Sequence, residues 1–286
     1  YREKNLKEIL ETLDRNAYSF YDYVMEHENA LFVEYLYEIL DTMFDSVERG
    51  LKREGTIPGK LQLPRVAKQM YTQAINLPAG SERETLILSS YAYAVAEENA
   101  SGQTIVTAPT CGSSGVLPAI LHYCYKQLNV EKPRLIKALA VAGVFGNVIK
   151  NNASISGADA GCQAEIGSAS AMAAGAVTWL RGGDGVQIIH AAALALKSLL
   201  GLACDPVAGL VEVPCIKRNV IGAVNALTAS DLAMAGILSR IPPDEVIDAM
   251  RNIGRSMPSC LKETGEGGLA VTPTGMQIKE KMPNFM

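Results

Sequence analysis

Beyond Gly102 the chain consists largely of Ala, Gly, Ser and Val in helix-length runs: Gly115 to Leu128, Pro133 to Val148, Glu165 to Leu180, Gly185 to Leu200, Ala223 to Gly236 and Pro243 to Ile253. Side chains this small let helices approach closely. Stretches of β-branched and aromatic residues alternating with period two are few, and no series of strands alternates with these helices. A doubly wound α/β fold is thereby disfavoured. The sequence predicts a mainly α protein, a single large helical domain with its cysteines on loops. Only Ile105, Val106 and the stretch Leu210 to Val213 read as short extended pieces.

Half of the charged residues fall in the first 100 positions, so the surface-rich part of the chain comes first and the interior-rich part second. Leu6, Ile9, Leu10 and Leu13, then Leu36, Ile39, Leu40 and Met43, recur at three and four, which predicts two or three amphipathic helices before Arg53. Thr56, Pro58 and Gly59 break the pattern, and a further helix is expected from Pro64 to Ile75. Ser81 with Glu84 three residues on predicts a capping box opening a helix through Ala96. With no repeat or low-complexity tract, residues 1–286 are read as one unit, with 1–100 a more polar helical part and 101–286 an Ala- and Gly-rich core.

A chain of 286 residues, 48% hydrophobic, has ample apolar material for a large core. Its formal net charge of −4 argues against nucleic acid as a partner. Ser101 to Tyr125, within the longest uncharged stretch of the chain, is interrupted too often by Thr, Pro, Gly, Ser and Gln for a membrane helix. The sequence opens at Tyr1 without a basic leader or apolar signal core, so a cytoplasmic location is expected. Six cysteines are few for this length and do not form a disulfide scaffold.

Three of those cysteines lie on polar or Pro-bearing segments, with the spacing Cys162-x41-Cys204-x10-Cys215. Cys162 closes the loop Asn151 to Gly161 at a helix entrance, where unpaired N–H groups and the dipole favour thiolate. Cys204 and Cys215 sit on turns at helix ends. Structural zinc would call for four ligands in paired knuckles, which are absent from the sequence. Three thiolates around an iron-sulfur cube would leave one iron open as a Lewis acid. Spacing alone leaves a second reading open, in which small cysteines fill an Ala-rich core.

Five segments carry a family resemblance: Thr107-Ala-Pro-Thr-Cys-Gly-Ser-Ser-Gly115, Asn151-Asn-Ala-Ser-Ile-Ser-Gly157, Gly161-Cys-Gln-Ala-Glu-Ile-Gly-Ser-Ala-Ser170, Cys204-Asp-Pro-Val-Ala-Gly-Leu-Val-Glu-Val-Pro-Cys-Ile-Lys-Arg-Asn219 and Glu263-Thr-Gly-Glu-Gly-Gly-Leu-Ala270. Together they resemble the catalytic α chain of the iron-sulfur-dependent L-serine dehydratases over roughly residues 90 to 275. The resemblance implies a mainly helical catalytic domain and a 4Fe-4S cluster on Cys162, Cys204 and Cys215. It implies L-serine as substrate, pyruvate and ammonia as products, a β chain or regulatory domain as companion, and an oligomer. In some members a cysteine-bearing tail covers the open iron; Met282 to Met286 contains no cysteine.

Dehydration of serine requires loss of a weakly acidic α-proton and of hydroxide, a poor leaving group. The open iron would take the hydroxyl, and an unidentified base the proton. Candidates for the substrate's carboxylate and ammonium are Ser113, Ser114 and Gly115, and the loop residues Asn151, Asn152 and Ser154, all expected at helix starts. Their alternatives are simple capping and turn formation. Lys217 and Arg218 would balance the cluster or the carboxylate. Glu165, three residues past Cys162, is a candidate support or proton carrier, or simply a carboxylate favoured by a helix dipole. His122 is expected to be a satisfied, partly buried histidine.

Two rivals stand beside this reading. A pyridoxal-phosphate dehydratase would use Lys150 for the Schiff base and Gly112 to Gly115 for the phosphate. A non-enzymatic helical subunit would use Gly143, Gly146, Ala169, Ala173 and Gly175 for packing alone.

Overall fold

The computed structural model describes residues 1–282 and is helical throughout, with no strand among the described residues. Two isolated bridges, Thr56 to Pro64 and Cys204 to Lys262, are its only extended pairings there. Ile105 and Val106 form no strand, and Val211 to Val213 lie in turns.

Three helices open the chain, α1 (Leu6–Asn16), α2 (Phe20–Met25) and α3 (Ala30–Gly50). The apolar positions seen at three and four are the ones buried: Leu6, Ile9 and Leu13 on α1, Leu36, Leu40 and Met43 on α3. Asn5 caps α1, and Asp244 reaches across to accept from the N–H groups of Leu6 and Lys7, filling two more of that terminus's free donors. Ser19 and Asp22 form a capping box on α2.

Helices α4 (Ala67–Ile75) and α5 (Ser81–Ala100) follow. The capping box expected at Ser81 does not form. Gly80 holds the cap position, Ser81 is the first helical residue, and Glu84 accepts instead from the Tyr123 hydroxyl. Gly50 meets α5 at closest range: a Cβ there would lie 2.4 Å from the carbonyl oxygen of Ala94.

Next come α6 (Val116–Lys126), α7 (Lys132–Asn152), α8 (Gly157–Ala160), a π-helical turn (Gln163–Gly167), α9 (Ser168–Leu180) and α10 (Gly185–Lys197). Twelve of the 13 residues of α9 are buried, and a helix apolar all round must be central. It packs on α7, α10 and α11 (Cys215–Met234). Helices α12 (Pro243–Ser256) and α13 (Pro273–Glu280) complete the described chain.

Helix α11 starts at Cys215 rather than Ala223. The polar run Lys217 to Asn219, read from the sequence as loop, forms its first turn, with Asn219 Nδ2 donating to the Cys215 carbonyl one turn back. One hydrophobic cluster runs from Leu6 to Met250, so the polar N-terminal helices share the core of the Ala-rich part.

Candidate metal centre

The loop after α7 and the loop after α10 meet at the π-helical turn. Gln163 joins them: its N–H donates to the Leu202 carbonyl at 2.9 Å and its Oε1 accepts from the Gly201 N–H at 2.9 Å. Cys162 caps this turn, Glu165 lies within it, and π-helical turns of this kind recur at functional sites. Cys204 is held by backbone bonds on both sides, donating to Leu261 at 2.8 Å and accepting from Glu263 at 2.7 Å.

These constraints bring the Sγ atoms of Cys162 and Cys204 and a carboxylate oxygen of Glu165 within 4.8 Å of one another. Glu165 Oε2 lies 3.9 Å from each sulfur. Thr110 donates to Glu165 Oε1 at 2.6 Å. Cys215, the first residue of α11, is buried and close enough to both thiols for charge on one to be felt by the others. None of the six cysteines is disulfide-bonded.

Burial raises the Glu165 carboxyl above its usual range, and the nearby Glu263 adds to the effect despite the opposing bond from Thr110. The Cys204 thiol donates toward Cys162, which lowers Cys162 and raises Cys204. Burial, with the charges of Cys162 and Glu165, raises Cys215 even though it opens a helix. The thiolate-favouring effect expected of a helix entrance thus acts in the expected direction at Cys162 alone, where the neighbouring thiol is the main cause.

A set of buried sulfurs and a carboxylate that oppose one another's ionisation accommodates a cation well. Space is reserved there too. A Cβ on Gly157 would lie 2.6 Å from Glu165 Oε2 and 3.1 Å from Cys204 Sγ, and one on Gly112 would lie 3.0 Å from Glu165 Oε1. The donor set and the two glycines fit a metal or cluster.

Arg218 is the basic residue closest to this charge. It donates to the Ala203 carbonyl at 2.7 Å and to Asp205 at 2.8 Å, and it acts on Cys162. Lys217, its neighbour, is exposed and lines a different cavity. Ser113 and Ser114 are fully buried; Ser113 Oγ pairs with Thr110, and Ser114 Oγ has no partner. Gly115 donates its N–H to Asn219 Oδ1 at 2.8 Å.

Asn151 and Asn152 do not stand at a helix start. They are the last two residues of α7, because the helix runs past Val148; Asn152 Nδ2 donates to the Lys4 carbonyl and its own carbonyl accepts from Arg251. Ser154 accepts from the Ser156 N–H in the turn before α8. Lys150 is exposed on the last turn of α7.

Thr110, Gly157, Asp205 and Asn219 belong to the site although they were not singled out from sequence, as does Gly112, read there only as part of a rival phosphate cradle. All five lie inside the quoted segments. Asn219 stands four residues past Cys215, the spacing that puts both on one helix face. Its Nδ2 also donates to the Gly112 carbonyl at 2.8 Å, so it ties α11 to the Thr110–Gly115 turn.

An all-helical scaffold thus gathers buried cysteine sulfurs and a carboxylate where helix ends meet, in an arrangement that could hold a metal. The serine dehydratase alpha chain family matches residues 5–270, and the chain is a member of that family and hence a lyase. The match takes in the polar N-terminal helices, which the resemblance read from the sequence had left out. The chain is 45% identical to the probable L-serine dehydratase, alpha chain, of Bacillus subtilis, over 98% of this chain and 95% of that one. It is 38% identical to the L-serine dehydratase, alpha chain, of Peptoniphilus asaccharolyticus, over 96% of each. Against the L-serine dehydratase of Haemophilus influenzae identity is 40% over 95% of this chain, which spans 62% of that longer protein.

Proposed function

We propose that this chain deaminates L-serine to pyruvate and ammonia, with Cys162, Cys204 and Cys215 holding a 4Fe-4S cluster. The observation that carries this reading is the buried meeting of Cys162, Glu165 and Cys204 above the unsubstituted Gly157. When bound, such a cluster supplies an open iron as a Lewis acid for the departing hydroxyl.

The protein's own groups do the rest. Glu165 would hold or move a proton at Oε2, a role supported by the bond with which Thr110 fixes Oε1. Burial raises its carboxyl above the usual range, which favours the protonated form. Arg218, anchored by Asp205 and Ala203, offsets negative charge at Cys162. The turn Ser113 to Gly115 and Ser154 are the candidates for holding the substrate's carboxylate and ammonium. Loss of water gives aminoacrylate, which tautomerises to the imine and hydrolyses to pyruvate and ammonia.

The relatives named alpha chain, and the longer Haemophilus influenzae protein, support a β chain or appended domain as companion. No described helix is long and apolar enough to cross a membrane. The test is anaerobic reconstitution with iron and sulfide, with and without a companion chain, followed by pyruvate release from L-serine. Bound iron and sulfide with serine-dependent turnover is expected. Turnover by iron-free protein would overturn the cluster reading.

A further inference from the structure

The segment after α12 returns to the metal centre. Cys204 meets it through backbone bonds to Leu261 at 2.8 Å and Glu263 at 2.7 Å, and its isolated bridge to Lys262 lies between them. Glu263 is thereby fixed beside a candidate metal ligand. Its charge is felt at the Glu165 carboxyl, so the two carboxylates are neighbours.

Two features set Glu263 apart. Its φ is +67°, in the left-handed region that favours glycine, and Gly265, two residues on, holds the same φ without the cost of a Cβ. Strain of this kind collects at functional sites. Glu263 is also half-buried, yet among the described residues its carboxylate makes no hydrogen bond and no ion pair.

Other carboxylates at the centre are committed. Asp205 accepts at Oδ1 from Arg218 at 2.8 Å and at Oδ2 from the Leu269 N–H at 2.8 Å. Glu165 accepts from Thr110 and turns its other oxygen to two sulfurs. Arg218 gives its terminal nitrogens to Ala203 and Asp205. Glu263 therefore keeps its oxygens free beside a second carboxylate, an arrangement that a cation relieves.

A metal ion is the weaker candidate for that cation. The sulfur donors draw a metal to the cysteines, and Glu263 is not among the residues whose ligand atoms gather there within 4.8 Å of one another. An amino acid supplies a better one: its ammonium carries three donors on one atom and calls for a carboxylate with free oxygens.

We infer that Glu263 receives the α-ammonium of L-serine. The inference rests on the function proposed above and deepens it, because it leaves the substrate carboxylate to the turn Ser113 to Gly115.

The anaerobically reconstituted protein tests this, with L-serine as substrate and 3-hydroxypropanoate as competitive inhibitor. The inhibitor keeps the carboxylate and the hydroxyl but has no ammonium. Glu263→Gln raises the KM for L-serine about tenfold or more, the effect of losing a charged hydrogen-bond partner, with kcat within about threefold of wild type. The inhibition constant of 3-hydroxypropanoate stays within about threefold. Glu263→Asp keeps a carboxylate and recovers part of the loss, and both variants match wild type in iron and sulfide per chain. Titration calorimetry on the iron-loaded protein reads the same split without turnover: L-alanine, which has the ammonium but no hydroxyl to lose, is weakened by Glu263→Gln and 3-hydroxypropanoate is not.

An unchanged KM and unchanged L-alanine binding in Glu263→Gln overturn the inference. So does 3-hydroxypropanoate weakened as much as L-serine, or loss of iron from the variant, which would make Glu263 a metal ligand. Each of these leaves serine turnover by the wild type, and with it the proposed function, standing. Iron-loaded wild type that does not act on L-serine fails the proposed function itself, and the inference with it.

Discussion

The hydroxyl of Thr110 donates to Glu165 Oε1 at 2.6 Å, joining a turn before α6 to the π-helical turn before α9. The other oxygen of the same carboxylate faces the sulfurs of Cys162 and Cys204. Removing the hydroxyl frees Glu165 to rotate away from them. Thr110→Val is expected to lower kcat for L-serine by about 10- to 150-fold, since hydrogen bonds to charged groups contribute about 1.5–3 kcal/mol. Thr110→Ser keeps the hydroxyl and restores most of the rate. Equal rates for the two variants would show that the bond does not position Glu165.

Cys162→Ser, Cys204→Ser and Cys215→Ser are each expected to lose iron and activity together, measured by anaerobic iron analysis and pyruvate release. Cys124 is the contrast. It is fully buried within α6, and burial pushes its thiol up to about 12, so it stays protonated. Cys124→Ala leaves iron content unchanged.

Glycine positions separate the metal centre from the scaffold. Gly157→Ala drives a methyl toward Glu165 Oε2 and Cys204 Sγ, and iron retention is expected to fall while helix content by circular dichroism holds. Gly143 sits in α7 with open space where its Cβ would go. Gly143→Ala is therefore expected to raise stability in urea by up to about 1 kcal/mol, the helix-propensity difference.

Glu98 is fully buried beneath Arg49, Arg53 and Arg65. The arginine side chains differ in exposure, 4% for Arg65 against 37% for Arg53. Arg65 is the most buried of the partners and its loss leaves Glu98 only the more solvent-screened Arg49 and Arg53, so Arg65→Leu is expected to cost about 1–3 kcal/mol in urea unfolding. Arg53→Leu, at a solvent-screened pair, costs less than about 1 kcal/mol.

His122 packs edge-on to Phe44 and Tyr91 with its Nδ1 unpartnered. Burial holds its pKa down to about 4, against the opposing pull of Glu48. In the unfolded chain the ring takes its proton near 6.5, before the folded chain does. Its stability contribution is thus complete above about pH 6.5 and drains away as pH falls toward 4, by about 3 kcal/mol in all. The stability difference between wild type and His122→Gln, followed by urea unfolding from pH 7 to 4, should narrow by that amount. A constant difference would show that the ring titrates normally.

Much of this was legible in the sequence for definite reasons. Buried periodic residues such as Leu6, Ile9 and Leu13 announce their helix because nothing in the tertiary structure overrides an amphipathic pattern. The start of α11 was not legible, since Lys217 and Arg218 look like loop residues until Asn219 is seen bonded to the Cys215 carbonyl. Ser81 misled because Glu84, the other half of its expected box, is engaged by Tyr123 from a distant helix. The three cysteines stood out by their polar surroundings. Thr110 did not, because a threonine 55 residues upstream of Glu165 carries no local mark of the contact it makes.

Cys162 caps a helical turn, Cys215 begins a helix, and Cys204, in the loop after α10, forms one isolated bridge with Lys262. Helix ends are where a fold frays first. A chelator or dioxygen arriving at the centre thus meets the part of the protein that opens at least expense, while α9 and its neighbours stay shut. On the cluster reading proposed above, inactivation is expected to precede melting, with inactivated protein keeping its helical spectrum and regaining activity on resupply of iron and sulfide without first being unfolded.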